Sequence, residues 1–214
     1  MSLIIYSISN IMFLIKGEDR MKKHLYLMRH GQTLFNLLGK IQGWCDSPLT
    51  ETGIYQAKCA AAALSNIRFD HAYSSTAERC CDTLEIVTNY QMPYTRLKGL
   101  RERYFGTFEG ESEKLNPSLE YYDDIFPLYG GEYFKEVQER VSNTLNEIMK
   151  KEDHQCVLAV SHGGASYSFL CQYYDPKKFF KEGGFTNCCI MHFTYENGVF
   201  TYIETIRPDL ENKS

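Results

Sequence analysis

Four short apolar runs, residues 24–28, 69–74, 94–97 and 156–160, alternate with segments whose apolar residues recur at helical spacing. Thr50 is placed to cap a helix running to about Leu64, with Ala57, Ala60, Ala61 and Leu64 on one face. Ser75 and Glu78 have capping-box spacing and predict a helix start, with Cys80, Cys81, Leu84 and Val87 as its stripe. Phe134, Val137, Val141, Leu145 and Ile148 mark a longer helix, and residues 165–174 another. Asn197-Gly198 divides two alternating runs and predicts a hairpin with a type I′ turn. Strands alternating with helices give an α/β fold, a mainly parallel sheet sandwiched between helices. In such a sheet a ligand lies outside the carboxyl ends of the strands.

The length of 214 residues suits one domain, taken here as residues 21–214. Residues 1–20 are set apart as an appendage. Their first fifteen are apolar but broken by Ser7, Ser9 and Asn10, too short a run to span a membrane and without a secretory leader's charge pattern. Met21-Lys22-Lys23 makes a natural start before the first strand, which suggests a start codon assigned too early. A peripheral helix or an oligomer contact is the alternative. A net charge of −4 offers no basic field for nucleic acid or anionic lipid. The eight cysteines include two adjacent pairs and no C-x-x-C, which points to reduced thiols and a cytoplasmic protein.

The chemistry-bearing residues fall at strand ends. Arg29-His30 follows the first run, Arg79 opens a helix after the second, and Ser161-His162-Gly163-Gly164 follows the fourth. The topology brings these distant fragments to one sheet edge. A histidine nitrogen can attack phosphorus and divide a difficult displacement into two steps. It must be unprotonated, and neighbouring cations lower its pKa. Arg29 and Arg79 are candidates for a guanidinium clamp on the transferred phosphoryl group, and a protonated His162 would add a donor. Backbone N–H groups near Gly163 lead into a helix N-terminus and suit an anion. Glu102 is the candidate proton donor to the leaving oxygen, with a carboxyl pKa raised by its setting.

The segments LMRHGQT, IQGWCDSPLTETG, YSSTAERCCDT, LRERYFGTFEG and VSHGG appear in that order. Together they make the chain resemble the histidine phosphatase superfamily in its phosphoglycerate-mutase-like branch, over about residues 24–206. The resemblance implies that His30 is the phosphorylated nucleophile, with Arg29, Arg79, Glu102 and His162 around it. It adds Asn36, Gln42, Gly43 and Gly163 as phosphate contacts and a small helical cap at about residues 110–136. It implies no metal and no cofactor. Glycolytic mutases of this family are usually longer in the cap and carry a glutamate where this chain has Gln32. Both differences favour hydrolysis over phosphate shuttling.

The expected activity is therefore a phosphomonoester hydrolase acting through phosphohistidine on a small phosphorylated metabolite, with a homodimer left open. The alternatives are a cofactor-dependent phosphoglycerate mutase and, from another class, a non-catalytic phospholigand-binding module. Structural readings are preferred for several conspicuous residues. His24, His71, His154 and His192 adjoin strands or loops, and Trp44 packs a loop. Most of the cap aromatics among Tyr121, Tyr122, Phe126, Tyr129, Tyr133 and Phe134 form a small core rather than a leaving-group pocket.

Overall fold

The structure, a computed structural model, describes residues 22–210. The N-terminal appendage therefore lies outside the described residues. Six strands form one sheet: β1 (Lys23–Arg29), β2 (His71–Ser75), β3 (Tyr94–Leu97), β4 (Cys156–Ser161), β5 (Ile190–Glu196) and β6 (Val199–Ile206). Their order across the sheet is β3-β2-β4-β1-β5-β6. The first four in that order run parallel. The β5–β6 hairpin adds two antiparallel strands at the β1 edge. Asn197 and Gly198 both take positive φ, 52° and 83°, as a type I′ turn requires.

Among the described residues, seven α-helices connect these strands: α1 (Leu34–Leu37), α2 (Glu51–Ala63), α3 (Glu78–Val87), α4 (Tyr122–Ile125), α5 (Phe134–Met149), α6 (Gly163–Leu170) and α7 (Pro176–Lys181). Both faces of the sheet are covered, so β1 and β4 are nearly continuous apolar runs. One face carries Leu25, Leu27, Val157 and Ala159 against Val141, Leu145 and Ile148 of α5 and Phe169 of α6. The other carries Tyr26, Met28, Leu158 and Val160 against Ala57 and Ala60 of α2 and Leu84 of α3. Alternate residues of one strand thus serve two separate cores, as the two-residue period demands.

Thr50 caps α2 as expected, its side chain accepting from the Gly53 N–H at 3.0 Å. The capping box read at Ser75 and Glu78 is not formed. Ala77 is the N-cap of α3 and makes no side-chain cap hydrogen bond. Ser75 instead closes β2, where a buried histidine takes its hydroxyl. The helix expected over residues 165–174 begins earlier and ends earlier, at Gly163–Leu170. Starting at Gly163 sets the helix N-terminus directly beside the end of β4.

Residues 106–129 form short 3-10 turns and α4 rather than long helices. Phe126 is fully buried and collects edge-on rings from Phe105, Phe108 and Tyr122 at 4.9–5.3 Å. Arg103 lies over Tyr122 and Phe126 and pairs with Asp123 at 2.6 Å, tying this segment to the loop that carries Glu102. The packing of α5 sets a measurable stability. Replacing fully buried Leu145 with alanine should destabilise the protein by about 2–5 kcal/mol in chemical denaturation. A loss below about 0.5 kcal/mol would mean that α5 does not pack as described.

Candidate active site

The carboxyl ends of β1, β2 and β4 bring together Arg29, Ser75 and Ser161, and the residues just beyond them build the site. His30 is 4% exposed, and its Nδ1 lies 2.8 Å from the Gly31 carbonyl. A carbonyl only accepts, so Nδ1 carries the hydrogen and Nε2 presents its lone pair. Arg79 Nε donates to that lone pair at 3.3 Å. The same guanidinium donates through Nη2 to His162 Nδ1 at 2.8 Å. His162 is then protonated at Nε2, which donates to Ser75 Oγ at 2.8 Å. One buried cation thus fixes the tautomers of two imidazoles.

Arg79 is completely buried. Its remaining N–H groups go to the Gly43 carbonyl at 2.7 Å, the Cys45 carbonyl at 2.9 Å and Asp46 Oδ1 at 2.8 Å. All five donors of the guanidinium are therefore in use. The expectation that Arg79 holds free donors for a phosphate is corrected. A phosphate oxygen reaches it by displacing an existing acceptor, and the nearest to the chemistry is His30 Nε2. Arg29 differs. Its Nη1 donates to the Phe185 carbonyl, and its buried Nε has no hydrogen-bond partner among the described residues. A Cβ added at Gly163 would lie 3.5 Å from that Nε, in ordinary van der Waals contact, which places the start of α6 beside Arg29.

Both imidazoles are held well below the ordinary value of 6.5. Burial is the largest cause for each, followed by the Arg79 charge. The sequence argument assigned the effect at His30 to cations alone; removal from water outweighs them. His162 is neutral in this arrangement, which corrects its expected role as a protonated donor.

Glu102 is 8% exposed, and its carboxylate accepts three backbone N–H groups. These are Arg103 at 2.8 Å, Gly164 at 2.8 Å and Ala165 at 2.7 Å. Two of them belong to the first turn of α6, so the helix N-terminus expected to receive phosphate near Gly163 holds this carboxylate instead. Gly164 is required for the approach, since a Cβ there would sit 2.7 Å from Glu102 Oε1.

Of the phosphate contacts expected from resemblance, Gly43 holds Arg79 through its carbonyl. Gln42 is spent on Thr33 at 2.7 Å and Ser47 at 3.0 Å. Asn36 caps α1 through Thr33, and its Oδ1 lies 3.4 Å from Asn187 Nδ2, which also reaches the His30 carbonyl at 3.1 Å. Gln32 turns to the α2 cap, accepting from Thr50 Oγ1 at 2.8 Å.

A polar pocket of ≈ 90 Å³ opens between Gly43, Trp44, Thr76, Arg101, Glu102 and His162. Asp46 also lines it, while His30 and Arg29 do not. Trp44 does pack its loop, 4.7 Å from Tyr104, and also forms part of this wall under Arg101 at 4.8 Å. Next to it, Gly164 and Arg103 border a larger cavity of ≈ 720 Å³ that includes Phe105, Tyr122, Phe134 and Tyr167. Among the cap aromatics, Phe126 is core, whereas Tyr122 and Phe134 line this cavity.

Sequence reasoning passed over Ser75, Asp46, Glu109, Asn187 and Arg140. Glu109 gathers the N–H groups of Gly43, Trp44, Cys45 and Phe105, which shapes the loop under Arg79. Arg140 binds the carbonyls of Arg101 and Glu102 at 2.6 and 2.7 Å and pairs with Glu132. Asp46 and Glu109 lie inside the quoted segments and were within reach. Arg140 and Asn187 stand in no motif.

A family description, histidine phosphatase superfamily (branch 1), matches residues 25–205. The chain belongs to the histidine phosphatase superfamily. It is 32% identical over 162 residues to a metal-independent phosphoserine phosphatase of Arabidopsis thaliana, covering 70% of this chain and 68% of that protein. It is 31% identical over 156 residues to a 2,3-bisphosphoglycerate-dependent phosphoglycerate mutase of Cytophaga hutchinsonii, covering 66% and 72% respectively. The structure of a phosphoglycerate mutase from Bacillus anthracis superposes with a TM-score of 0.75 at 27% identity, covering 87% of this chain and 93% of that one. The chain is thus similar to a phosphatase and to mutases alike.

The lowered values of His30 and His162 have a direct readout. In NMR titrations of the ligand-free protein, neither ring should titrate between pH 6 and 8. Midpoints near 6.5 would contradict the buried arrangement. The unfolded chain takes up protons at these positions from about pH 6.5 downward while the folded one does not, so their contribution to stability falls as pH drops below that value.

Proposed function

We propose that this histidine phosphatase superfamily member hydrolyses the phosphomonoester of a small metabolite through a phosphohistidine at His30. What carries the reading is the unprotonated lone pair on His30 Nε2, which accepts from Arg79 Nε. In the first step the Nε2–P bond forms and the P–O bond to the leaving group breaks. Arg79 Nε–H transfers from the imidazole to a phosphoryl oxygen, and the unpartnered Arg29 Nε supplies a second donor. Glu102, whose carboxyl accepts three backbone N–H groups in the ligand-free site, takes up a proton from solvent as the phosphate dianion binds beside it and gives that proton to the leaving oxygen. In the second step water attacks phosphorus, Glu102 takes a proton back, and the N–P bond breaks to release phosphate.

The guanidinium groups supply the positive charge that phosphoryl transfer needs, which is the basis for proposing a metal-independent reaction. The cavity beside Glu102, at ≈ 720 Å³, is large enough for an organic leaving group. Phosphoserine is one substrate to test first, because a similar protein bears that activity in its name. All eight cysteines are unbridged, in keeping with a cytoplasmic setting, and among the described residues no helix is long and apolar enough to cross a membrane.

The mutase reading has its own support in the similarity to mutases. The position of Gln32 at the α2 cap supports hydrolysis, since it adds no carboxyl group to the pocket. A screen of sugar phosphates, nucleotides and phosphoamino acids should yield free phosphate with wild type and none above background with His30→Ala. Glu102→Gln should lower kcat by about 10²–10⁴-fold for substrates with poor leaving groups, and less for an activated aryl phosphate. Equal rates in wild type and His30→Ala would remove the catalytic reading. Interconversion of 2- and 3-phosphoglycerate faster than phosphate release would favour the mutase.

A further inference from the structure

Two of the six histidines serve the site; His24, His71, His154 and His192 lie about the starts of β1, β2 and β4, the opposite pole of the sheet. His71 and His154 share one carboxylate. His71 Nε2 is 3.0 Å from Asp153 Oδ2, and His154 Nδ1 is 2.8 Å from Asp153 Oδ1. The two rings are stacked with centroids 3.7 Å apart. One ligand atom from each of the three residues falls within 4.8 Å of the others.

We propose that His71, Asp153 and His154 are the protein ligands of a divalent transition-metal site, with solvent completing the coordination. Zinc bonds of about 2.0–2.1 Å in a tetrahedral arrangement place neighbouring ligand atoms about 3.3 Å apart. Each nitrogen lies near that distance from its own carboxylate oxygen, at 3.0 and 2.8 Å, so the metal replaces two hydrogen bonds once the stacked rings turn their lone pairs toward it. The second shell is in place. When His154 Nδ1 binds metal, its Nε2–H faces Tyr73 Oη at 2.6 Å, and Lys151 Nζ donates to the same hydroxyl at 2.9 Å. The His154 side chain is only 3% exposed, which fixes one ligand, whereas Asp153 is 69% exposed and gives solvent and metal a way in. Two imidazoles and one carboxylate select zinc, nickel or cobalt over magnesium or calcium. Occupied, the site clips the start of β2 to the loop before β4. Asp153 and His154 are adjacent while His71 is distant in sequence, so no ligand spacing announces the trio.

The test uses the full chain without a histidine tag, stripped with chelator, as wild type, His71→Ala and Asp153→Asn. Both substitutions fall on partly exposed side chains outside the proposed active site. Calorimetric titration with Zn²⁺ should show an equivalent in wild type that weakens by about 10–100-fold or disappears in each variant. Zn²⁺ should raise the Tm of wild type and move the variants less, and phosphate release by the metal-free variants should match metal-free wild type. Co²⁺ should give visible d–d bands in wild type that fade in the variants. Identical stoichiometry, affinity and Co²⁺ spectra in all three proteins would overturn the assignment, as would a wild type that takes up no metal.

Discussion

The buried guanidinium of Arg79 is the interaction on which the site depends. A cation taken wholly out of water is costly unless every donor is satisfied, and here three loop acceptors and two imidazoles do this. The same contacts that make the charge tolerable also orient the site. Arg79 can only donate, so the two ring nitrogens facing it must be unprotonated. Electrostatics, burial and tautomer choice therefore lead to one state of His30: neutral, with its lone pair on Nε2. The loop holding Arg79 is in turn shaped by Glu109, and the Glu102 backbone by Arg140. Removing any of these supports acts on the chemistry through position.

The fold places this cation where it is needed. A parallel order β3-β2-β4-β1 puts three strand ends side by side: His30 directly follows β1, His162 directly follows β4, and Arg79 lies in the first turn of the helix after β2. Alternate strand residues feed two packed cores, leaving the strand ends little freedom to shift. Glycines are used where backbones or functional groups must meet. Gly164 admits the Glu102 carboxylate to the first turn of α6.

Much of this was legible in the sequence because period and punctuation are local. The apolar runs, the Thr50 cap and the Asn197-Gly198 turn each follow from a few neighbouring residues, and each forms. Ser75 was misread for an instructive reason. Its spacing to Glu78 satisfies a local capping rule, but a long-range partner, His162 Nε2, takes the hydroxyl. Arg79 was legible as a cation but not as a saturated one, because its acceptors are carbonyls of a loop more than thirty residues away. Asn187 and Arg140 show the same limit: their function lies in backbone carbonyls they reach through space. His71 shows it too, since its partners are defined only once β2 and β4 are paired.

In the proposed reaction His30 Nε2 is the atom that forms a bond to phosphorus. Rapid quenching of wild type during turnover of a ³²P-labelled monoester, followed by peptide mapping in alkali, tests this most directly. The account predicts acid-labile, alkali-stable label on the peptide containing His30, assigned to Nε2 by ³¹P NMR. Label on another residue, or on Nδ1 of this ring, would contradict it.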